Sequence, residues 1–145
     1  VHSFAQAAKA GEALRITDPQ MTRFHITLNA AVSFVCRAVR EAAPGTLWIP
    51  KLPSYRLGDL ATAFMRVYGL KSDPVITGRR VGEKLHEDLI SENESCSNTE
   101  SHADHYVLEP GKVLKGETWS YNSGSTPWRL SIAELEGMVR EWDGR

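Results

Sequence analysis

Short segments typical of strands alternate with amphipathic helices along most of this chain, and that alternation constrains the fold more than any other feature. Apolar periodicity predicts helices that start near Leu28, at Leu57, at Glu83 and after Ser131, the third of them covering 83–91. Strands are predicted over 13–17, 46–49, 74–77 and 106–108, with a weaker fifth over 118–121. The alternation predicts an α/β fold, and 145 residues suit one domain, so residues 1–145 are interpreted as a single lobe.

Local signals define the faces and ends of these helices. In the first helix, apolar residues recur at helical spacing: Leu28, Val32, Val35 and Val39. Cys36 lies in the same apolar stretch, so we expect it in the core. Gly69 closes the second helix, and Ser131 with Glu134 forms a capping box at the start of the last one.

The composition is that of a soluble globular protein and argues against several classes of function. Hydrophobic residues make up 41%, charged residues 24%, and the formal net charge is -1, which indicates neither nucleic acid nor an anionic membrane as partner. The chain has no run of about 18 apolar residues, so we predict no membrane span. The two cysteines, Cys36 and Cys96, suggest neither a disulfide framework nor a metal motif, which favours the cytoplasm.

The segment 92–104 is almost wholly polar, and we interpret it as a mobile surface loop. His102 and His105 flank Asp104 at its end, with Glu100 nearby. A metal site is conceivable there, but two histidines three residues apart, with no further ligand at suitable spacing, favour it only weakly.

The chain lacks the motifs of a dinucleotide redox site. No Gly-x-Gly-x-x-Gly loop joins a predicted strand to a helix, and no tyrosine is followed four residues later by lysine. The chain also starts without an initiator methionine. We therefore interpret it as a part of a longer protein, with no catalytic or cofactor-binding residues of its own.

Two clusters of residues indicate anion binding. In the first, Met-Thr-Arg-Phe at 21–24, the planar donor fork of Arg23 suits phosphate oxygens. In the second, 78–87, Arg80 precedes a predicted helix N-terminus and Glu83 could accept hydrogen bonds from a ribose diol. The residues alone leave another interpretation open, in which Arg23 is a solvated surface residue and 78–87 is a basic loop before a negatively charged first turn.

These clusters also carry a family resemblance. Together with 49–54 (Ile-Pro-Lys-Leu-Pro-Ser) and 121–123 (Tyr-Asn-Ser), they resemble the C-terminal half of bacterial polysaccharide-biosynthesis proteins. The closest group is the UDP-N-acetylglucosamine 4,6-dehydratases, some of which also epimerise C5. The resemblance covers nearly the whole chain. It implies the substrate-binding part of an extended short-chain dehydrogenase/reductase, a Rossmann-type α/β fold, with the N-terminal cofactor half absent.

The resemblance implies roles for individual residues. Arg23 and Arg80 would approach the diphosphate of a UDP-sugar, and Glu83 would bind the ribose. Thr22 and Lys51 are further candidates for substrate contacts by position, although Lys51, which follows a predicted strand, could equally be exposed to solvent. NADP or NAD would act in the missing half, so no cofactor is expected in this chain. The sequence departs from the family at Val81, where proline is usual, and at His25, where an aromatic residue is usual.

The partners implied are a UDP-sugar, the missing Rossmann half and, through an exposed strand edge, a second copy of the chain. In the family the strand over 46–49 joins the parallel sheet of the other half, so alone it would leave a bare edge and an apolar face. We expect marginal stability or dimerisation as a result. An alternative stays open, in which the chain is a stand-alone, non-catalytic module that binds a nucleotide sugar or another subunit.

Overall fold

The computed structural model describes residues 2–95, 97–113 and 118–143, which form five helices and nine short strands. The helices are α1 (His2–Lys9), α2 (Leu28–Glu41), α3 (Leu57–Tyr68), α4 (Glu92–Ser95) and α5 (Ile132–Asp143). The strands are β1 (Arg15–Ile16), β2 (Thr22–Phe24), β3 (Leu47–Pro50), β4 (Ser54–Arg56), β5 (Val75–Ile76), β6 (Asp88–Ile90), β7 (Ser97–Ser101), β8 (His105–Val113) and β9 (Tyr121–Asn122).

The strands form four small sheets. β1 pairs with β5 in parallel, and β2–β4 and β6–β9 are antiparallel pairs. The fourth sheet has the order β3-β8-β7 with both pairs antiparallel. The predicted α/β fold is confirmed as a mixed arrangement in which most of the sheet pairing is antiparallel.

The larger hydrophobic core lies between three helices. The rings of Phe4 on α1 and Phe64 on α3 meet edge to face with centroids 5.7 Å apart. Phe64, Leu135 on α5 and Leu14 before β1 are almost completely buried. This core holds β1 and β5 together through Ile16, so it positions the segment that follows β5.

A smaller core lies under the strands. Ile90, Leu108 and Tyr121 are buried together, with Phe24 of β2 packed against them. The Tyr121 hydroxyl also accepts a hydrogen bond from the Leu52 amide at 2.7 Å. Through this core, β2 is fixed against β6 and β9.

The signals at the helix ends depend on residues that are close together in the sequence, and those predicted at Gly69 and at Ser131 with Glu134 are confirmed. α2 begins after Thr27, whose side chain accepts a hydrogen bond from the Ala30 amide at 3.2 Å. α3 ends at Gly69 in the left-handed conformation, with φ of 65°. At α5 the Ser131 amide donates to the Glu134 carboxylate at 2.8 Å, and the Glu134 amide donates to the Ser131 hydroxyl at 3.3 Å.

The helix predicted over 83–91 is wrong. The Glu83 amide donates to the Arg80 carbonyl at 3.0 Å in a tight turn, and the chain then enters β6. Leu89 and Ile90, whose spacing suggested a helix face, pack into the smaller core instead. Tertiary pairing with β9 overrides the helical pattern, because that pairing buries Ile90 completely.

The interpretation of 92–104 as a loop is also wrong for most of its length. Residues 92–95 form α4, and 97–101 form β7, which pairs with β8. Cys96, predicted in a polar loop, lies outside the described residues. Polar residues suit β7 because it is an edge strand of the described sheet.

The helix α2 forms as predicted, but its apolar stripe is not buried. Leu28, Val32, Val35 and Val39 are 78%, 53%, 58% and 81% exposed, and Cys36, predicted in the core, is exposed as well. The helix instead contacts the rest of the chain through Phe34 and Arg37, on its opposite side.

The strand predicted over 46–49 also differs from the expectation: β3 pairs antiparallel with β8 and keeps one edge open among the described strands.

Candidate functional site

Strand β2 lies directly against the segment 83–87, which places the two predicted clusters side by side. The Thr22 amide donates to the Leu85 carbonyl at 2.9 Å. On its other side, β2 pairs with β4, where Arg23 faces Tyr55. Burial raises the pKa of Tyr55, and the nearby Arg23 cation opposes that rise. The structure therefore places β2, which carries Arg23, next to the segment that directly follows the Arg80–Glu83 turn.

Arg23 is held by carbonyl groups and a carboxylate. One terminal nitrogen, Nη1, donates to the Thr22 carbonyl at 2.7 Å and lies 3.3 Å from the Lys84 carbonyl and 3.4 Å from the Leu85 carbonyl. Nε lies 3.4 Å from a carboxylate oxygen of Glu87. About a quarter of the side chain is exposed, so Arg23 has a fixed orientation and still reaches the surface.

The turn at 80–83 has a reciprocal structure. The Glu83 carboxylate accepts from the Arg80 amide at 3.1 Å while the Glu83 amide donates back to the Arg80 carbonyl. The second carboxylate oxygen of Glu83 accepts from the Thr17 hydroxyl at 3.5 Å, which links the turn to the end of β1. The Arg80 side chain is exposed, and its guanidinium has no hydrogen-bond partner among the described residues.

Thr22 is placed differently from the expectation of a substrate contact. It is only 1% exposed, and its hydroxyl lies 2.8 Å from His86 Nδ1 and 2.7 Å from Ser123 Oγ. Its partners are therefore internal. Sequence reasoning did not identify His86 and Ser123 as part of this arrangement, because their contacts with Thr22 span 64 and 101 residues.

Lys51 lies apart from Arg23 and Arg80, against the β7–β8 hairpin. Its ammonium group donates to the Ser101 hydroxyl at 2.9 Å and to the His102 carbonyl, and it lies 4.6 Å from the centroid of the Tyr106 ring. Lys51 instead lines a cavity of about 400 Å³ whose other walls include His25, Phe34 and Trp128.

A second cavity, of about 370 Å³, adjoins the first and shares His25, Ile26 and Thr27 with it. Tyr55 and Trp142 line its other side. Burial lowers the pKa of His25, so its imidazole is neutral at pH 7 and presents a ring face and a weakly polar edge. His25 thus occupies the boundary between the two cavities, at the position where the sequence departs from the family pattern.

The histidines near β8 do not assemble a metal site among the residues that the structure describes, where no group of three His, Cys, Asp or Glu side chains could hold an ion. His105 Nδ1 lies 2.8 Å from an Asp104 oxygen, and its ring stacks on Trp48 with centroids 4.2 Å apart. The His102 ring stacks on the other side of His105, at 4.5 Å. These contacts explain the His102–Asp104–His105 pattern as packing around a buried imidazole.

Chemically, the site combines two guanidinium groups with a carboxylate on a rigid turn. Guanidiniums suit phosphate oxygens and a carboxylate suits vicinal hydroxyls, so the set matches a nucleoside diphosphate in its donors and acceptors. The described helices α2, α3, α4 and α5 follow Thr27, Arg56, Ser91 and Ser131, none of which ends a glycine-rich turn.

Comparison with known proteins agrees with this fold. The model of a family described as polysaccharide biosynthesis protein matches residues 1–110. In structure, the chain resembles Pen from Bacillus thuringiensis, with a TM-score of 0.77 and 24% identity over 95% of this chain and 43% of that one. The predicted α/β fold is confirmed by this likeness.

Three relatives in sequence cover most of the chain. It is 38% identical to a Methanocaldococcus jannaschii protein described as an uncharacterized membrane protein, over 92% of this chain and 42% of that protein. It is 32% identical to a Campylobacter jejuni UDP-N-acetylglucosamine 4,6-dehydratase (inverting), over 94% and 45%. It is 34% identical to a Rickettsia akari UDP-glucose 4-epimerase, over 97% and 44%.

The chain belongs to the polysaccharide biosynthesis protein family, which confirms the resemblance noted in its motifs. It spans a little under half the length of the curated relatives it matches. Within the described residues, none of the helices combines the length and the apolar character that crossing a bilayer requires.

Proposed function

We propose that this chain is the UDP-sugar-binding part of a nucleotide-sugar dehydratase of the UDP-N-acetylglucosamine 4,6-dehydratase type. The observation that carries the proposal is the contact of Arg23 with the carbonyls of Lys84 and Leu85, which directly follow the turn that bears Arg80 and Glu83. A held guanidinium therefore lies next to the segment that carries the exposed Arg80 side chain and the Glu83 carboxylate. The names of the relatives support the same class of ligand, because the dehydratase and the epimerase both act on a UDP-hexose.

In this proposal Arg23 and Arg80 neutralise and orient the diphosphate, and Glu83 accepts hydrogen bonds from the ribose hydroxyls. Thr22 does not contact the ligand; its buried hydroxyl fixes the position of β2. The sugar extends away from these residues, and Lys51 and His25 are candidates for its far contacts because they line the same cavity. A nicotinamide cofactor, NAD or NADP, supplies the redox chemistry when bound to another portion of the enzyme.

The proposal is tested by titrating the chain with UDP in a calorimeter. We expect Arg80→Ala to weaken UDP binding by about 1.5–3 kcal/mol, the scale of a charge-assisted hydrogen bond. Arg23→Ala should weaken it by a similar amount, with a lower melting temperature because Arg23 also bonds three carbonyls.

The matched control is Arg79→Ala, which removes a neighbouring arginine that lies 3.4 Å from Asp18. It should bind UDP almost as the unchanged chain does. If Arg80→Ala and Arg23→Ala both keep the affinity of the unchanged chain, the two arginines have no role in holding the diphosphate and the proposed site is wrong.

A further inference from the structure

A cluster of three polar side chains, two of them buried, joins segments that are far apart in the sequence. Thr22 comes from β2, His86 from the segment before β6, and Ser123 from the residue after β9. Thr22 Oγ1 lies 2.8 Å from His86 Nδ1 and 2.7 Å from Ser123 Oγ, and Ser123 Oγ lies 3.1 Å from the Thr22 carbonyl. Thr22 and Ser123 are 1% and 0% exposed, so the bonds between them are shielded from water, whereas the contact of His86 with Thr22 is partly buried.

The protons of the cluster can be assigned consistently. Ser123 Oγ accepts from the Glu87 amide at 2.9 Å, so its own proton is free to go to the Thr22 carbonyl. Thr22 can then donate to Ser123 Oγ and accept from His86 Nδ1–H, which leaves both hydroxyl groups of the cluster satisfied. With its proton on the other nitrogen, His86 accepts from Thr22 instead. In both tautomers the Nδ1 position is the one that the cluster uses.

The backbone around the cluster is built to bring His86 close. The Thr22 amide donates to the Leu85 carbonyl at 2.9 Å, and the Ser123 amide donates to the Glu87 carbonyl at 2.8 Å. A Cβ added to Gly124 would lie 2.7 Å from the Cγ and Nδ1 atoms of His86. Glycine is needed at this position because the imidazole packs on its backbone, and a methyl group would displace the ring.

Arg23 is directly attached to this cluster. Its Nη1 donates to the carbonyl of Thr22 and lies 3.4 Å from the carbonyl of Leu85, the residue before His86. We propose that His86 is a positioning residue: by holding Thr22, which in turn bonds Ser123, it fixes the two carbonyls that orient the Arg23 guanidinium toward the diphosphate. The inference rests on the proposed function, since it assigns His86 a role in the same nucleotide site.

The test compares three variants in NMR titrations with UDP and with uridine. His86→Ala removes the Nδ1 contact and should raise the Kd for UDP about fivefold to tenfold, the effect of one buried hydrogen bond, while the Kd for uridine stays the same. His86→Asn places an amide where Nδ1 was and should restore most of the affinity. His86→Gln, which places its amide near the Nε2 position instead, is the matched control and should behave like His86→Ala.

The Arg23→Ala background separates positioning from general loosening of the fold. In the Arg23→Ala background, His86→Ala should cause no further loss of UDP affinity. In the Arg80→Ala background, His86→Ala should still weaken UDP binding. An additive loss in the Arg23→Ala background, or equal losses for UDP and uridine, would overturn the inference. If the unchanged chain binds UDP and His86→Ala binds it equally well, the inference about His86 is wrong and the proposed function stands. If the unchanged chain does not bind UDP, both the proposed function and the inference are wrong.

Discussion

At the scale of single residues, the strongest electrostatic interaction away from the candidate site is at Asp104. His105 Nδ1 lies 2.8 Å from one of its oxygens, and Arg37 donates to the other at 2.7 Å. These hydrogen bonds, that from His105 first and that from Arg37 second, lower the pKa of Asp104 to about 2. Because Arg37 lies on α2 and His105 on β8, the carboxylate joins the helix to the sheet.

We therefore predict that Asp104→Asn lowers the stability of the chain at pH 7. The loss should be at most about 1 kcal/mol, because Asp104 is 57% exposed and water screens an exposed ion pair. The pKa is lower in the folded state, so the stabilisation is present above the unfolded value of 3.8 and is lost as the pH falls toward 2.

Thermal unfolding of the unchanged chain and of Asp104→Asn, measured at several pH values, tests this prediction. The melting temperatures of the unchanged chain and of Asp104→Asn should converge between pH 4 and pH 2. Asp73→Asn, at an exposed position, serves as the charge-matched control. A difference that is independent of pH would show that the carboxylate charge is not what stabilises this contact.

Residue roles could be predicted from the sequence only where the partners are near in the chain. Ser131 and Glu134 are three residues apart, so their mutual bonds were predictable. The partners of Lys51 lie about 50 residues away and those of Thr22 even farther. Nothing in the sequence near Thr22 or Lys51 indicates these contacts. Thr22 was expected to contact the ligand, but its hydroxyl bonds side chains inside the protein. Lys51 lines a separate cavity.

At the scale of elements, α5 depends on its capping box. We predict that Ser131→Ala destabilises the chain by about 1 kcal/mol, the usual cost of losing an N-cap hydroxyl. For a chain of this size that corresponds to a fall of about 2–4 °C in melting temperature. Ser72→Ala, at an exposed position outside any helix, should leave the melting temperature unchanged. An equal fall in both variants would contradict the role of the cap.

The exposed stripe of α2 is the second feature at this scale. Its four apolar residues, Leu28, Val32, Val35 and Val39, face away from the side that contacts Trp48 and Asp104. An apolar face of this kind usually marks an interface. We propose that the cofactor-binding portion of the enzyme covers it, because more than half of each relative's length lies outside the match with this chain.

The prediction for α2 concerns association rather than folding. Val35→Lys should change the stability of this chain by less than about 0.5 kcal/mol, since Val35 is 58% exposed. It should abolish binding to the separately produced remaining portion of the enzyme in size-exclusion chromatography. Ser33→Lys, exposed on another side of α2, should bind normally. A concentration-dependent dimer of this chain that Val35→Lys disrupts would mean that a second copy covers the stripe instead.

Elements were predictable where local pattern and packing agree. α3 follows its apolar stripe because Leu60, Ala61 and Phe64 are buried. The segment 83–91 carries a similar pattern, but Ile90 is buried by pairing with β9, so the pattern indicated the wrong element. For α2 the helix itself was predictable, whereas the sequence has no signal that separates a stripe for the chain's own core from a stripe for another surface.

At the scale of the whole molecule, the two cores position the segments of the proposed nucleotide site. The helical core holds β1 and β5, which lead into the turn with Arg80, and the smaller core holds β2 with Arg23. The fold class was predictable from the order of elements and from family motifs. The sheet arrangement was not, because the antiparallel pairing of β3 with β8 joins residues about 60 positions apart.

We propose above all that UDP binds beside Arg23 and the Arg80–Glu83 turn. The most direct test is to map by NMR which amide chemical shifts of the chain change at saturating UDP. The account predicts that the shifts concentrate in 21–24 and 80–87, and that they vanish from both segments in Arg80→Ala. Shifts confined to the β7–β8 hairpin around Lys51, or no shifts anywhere, would contradict it.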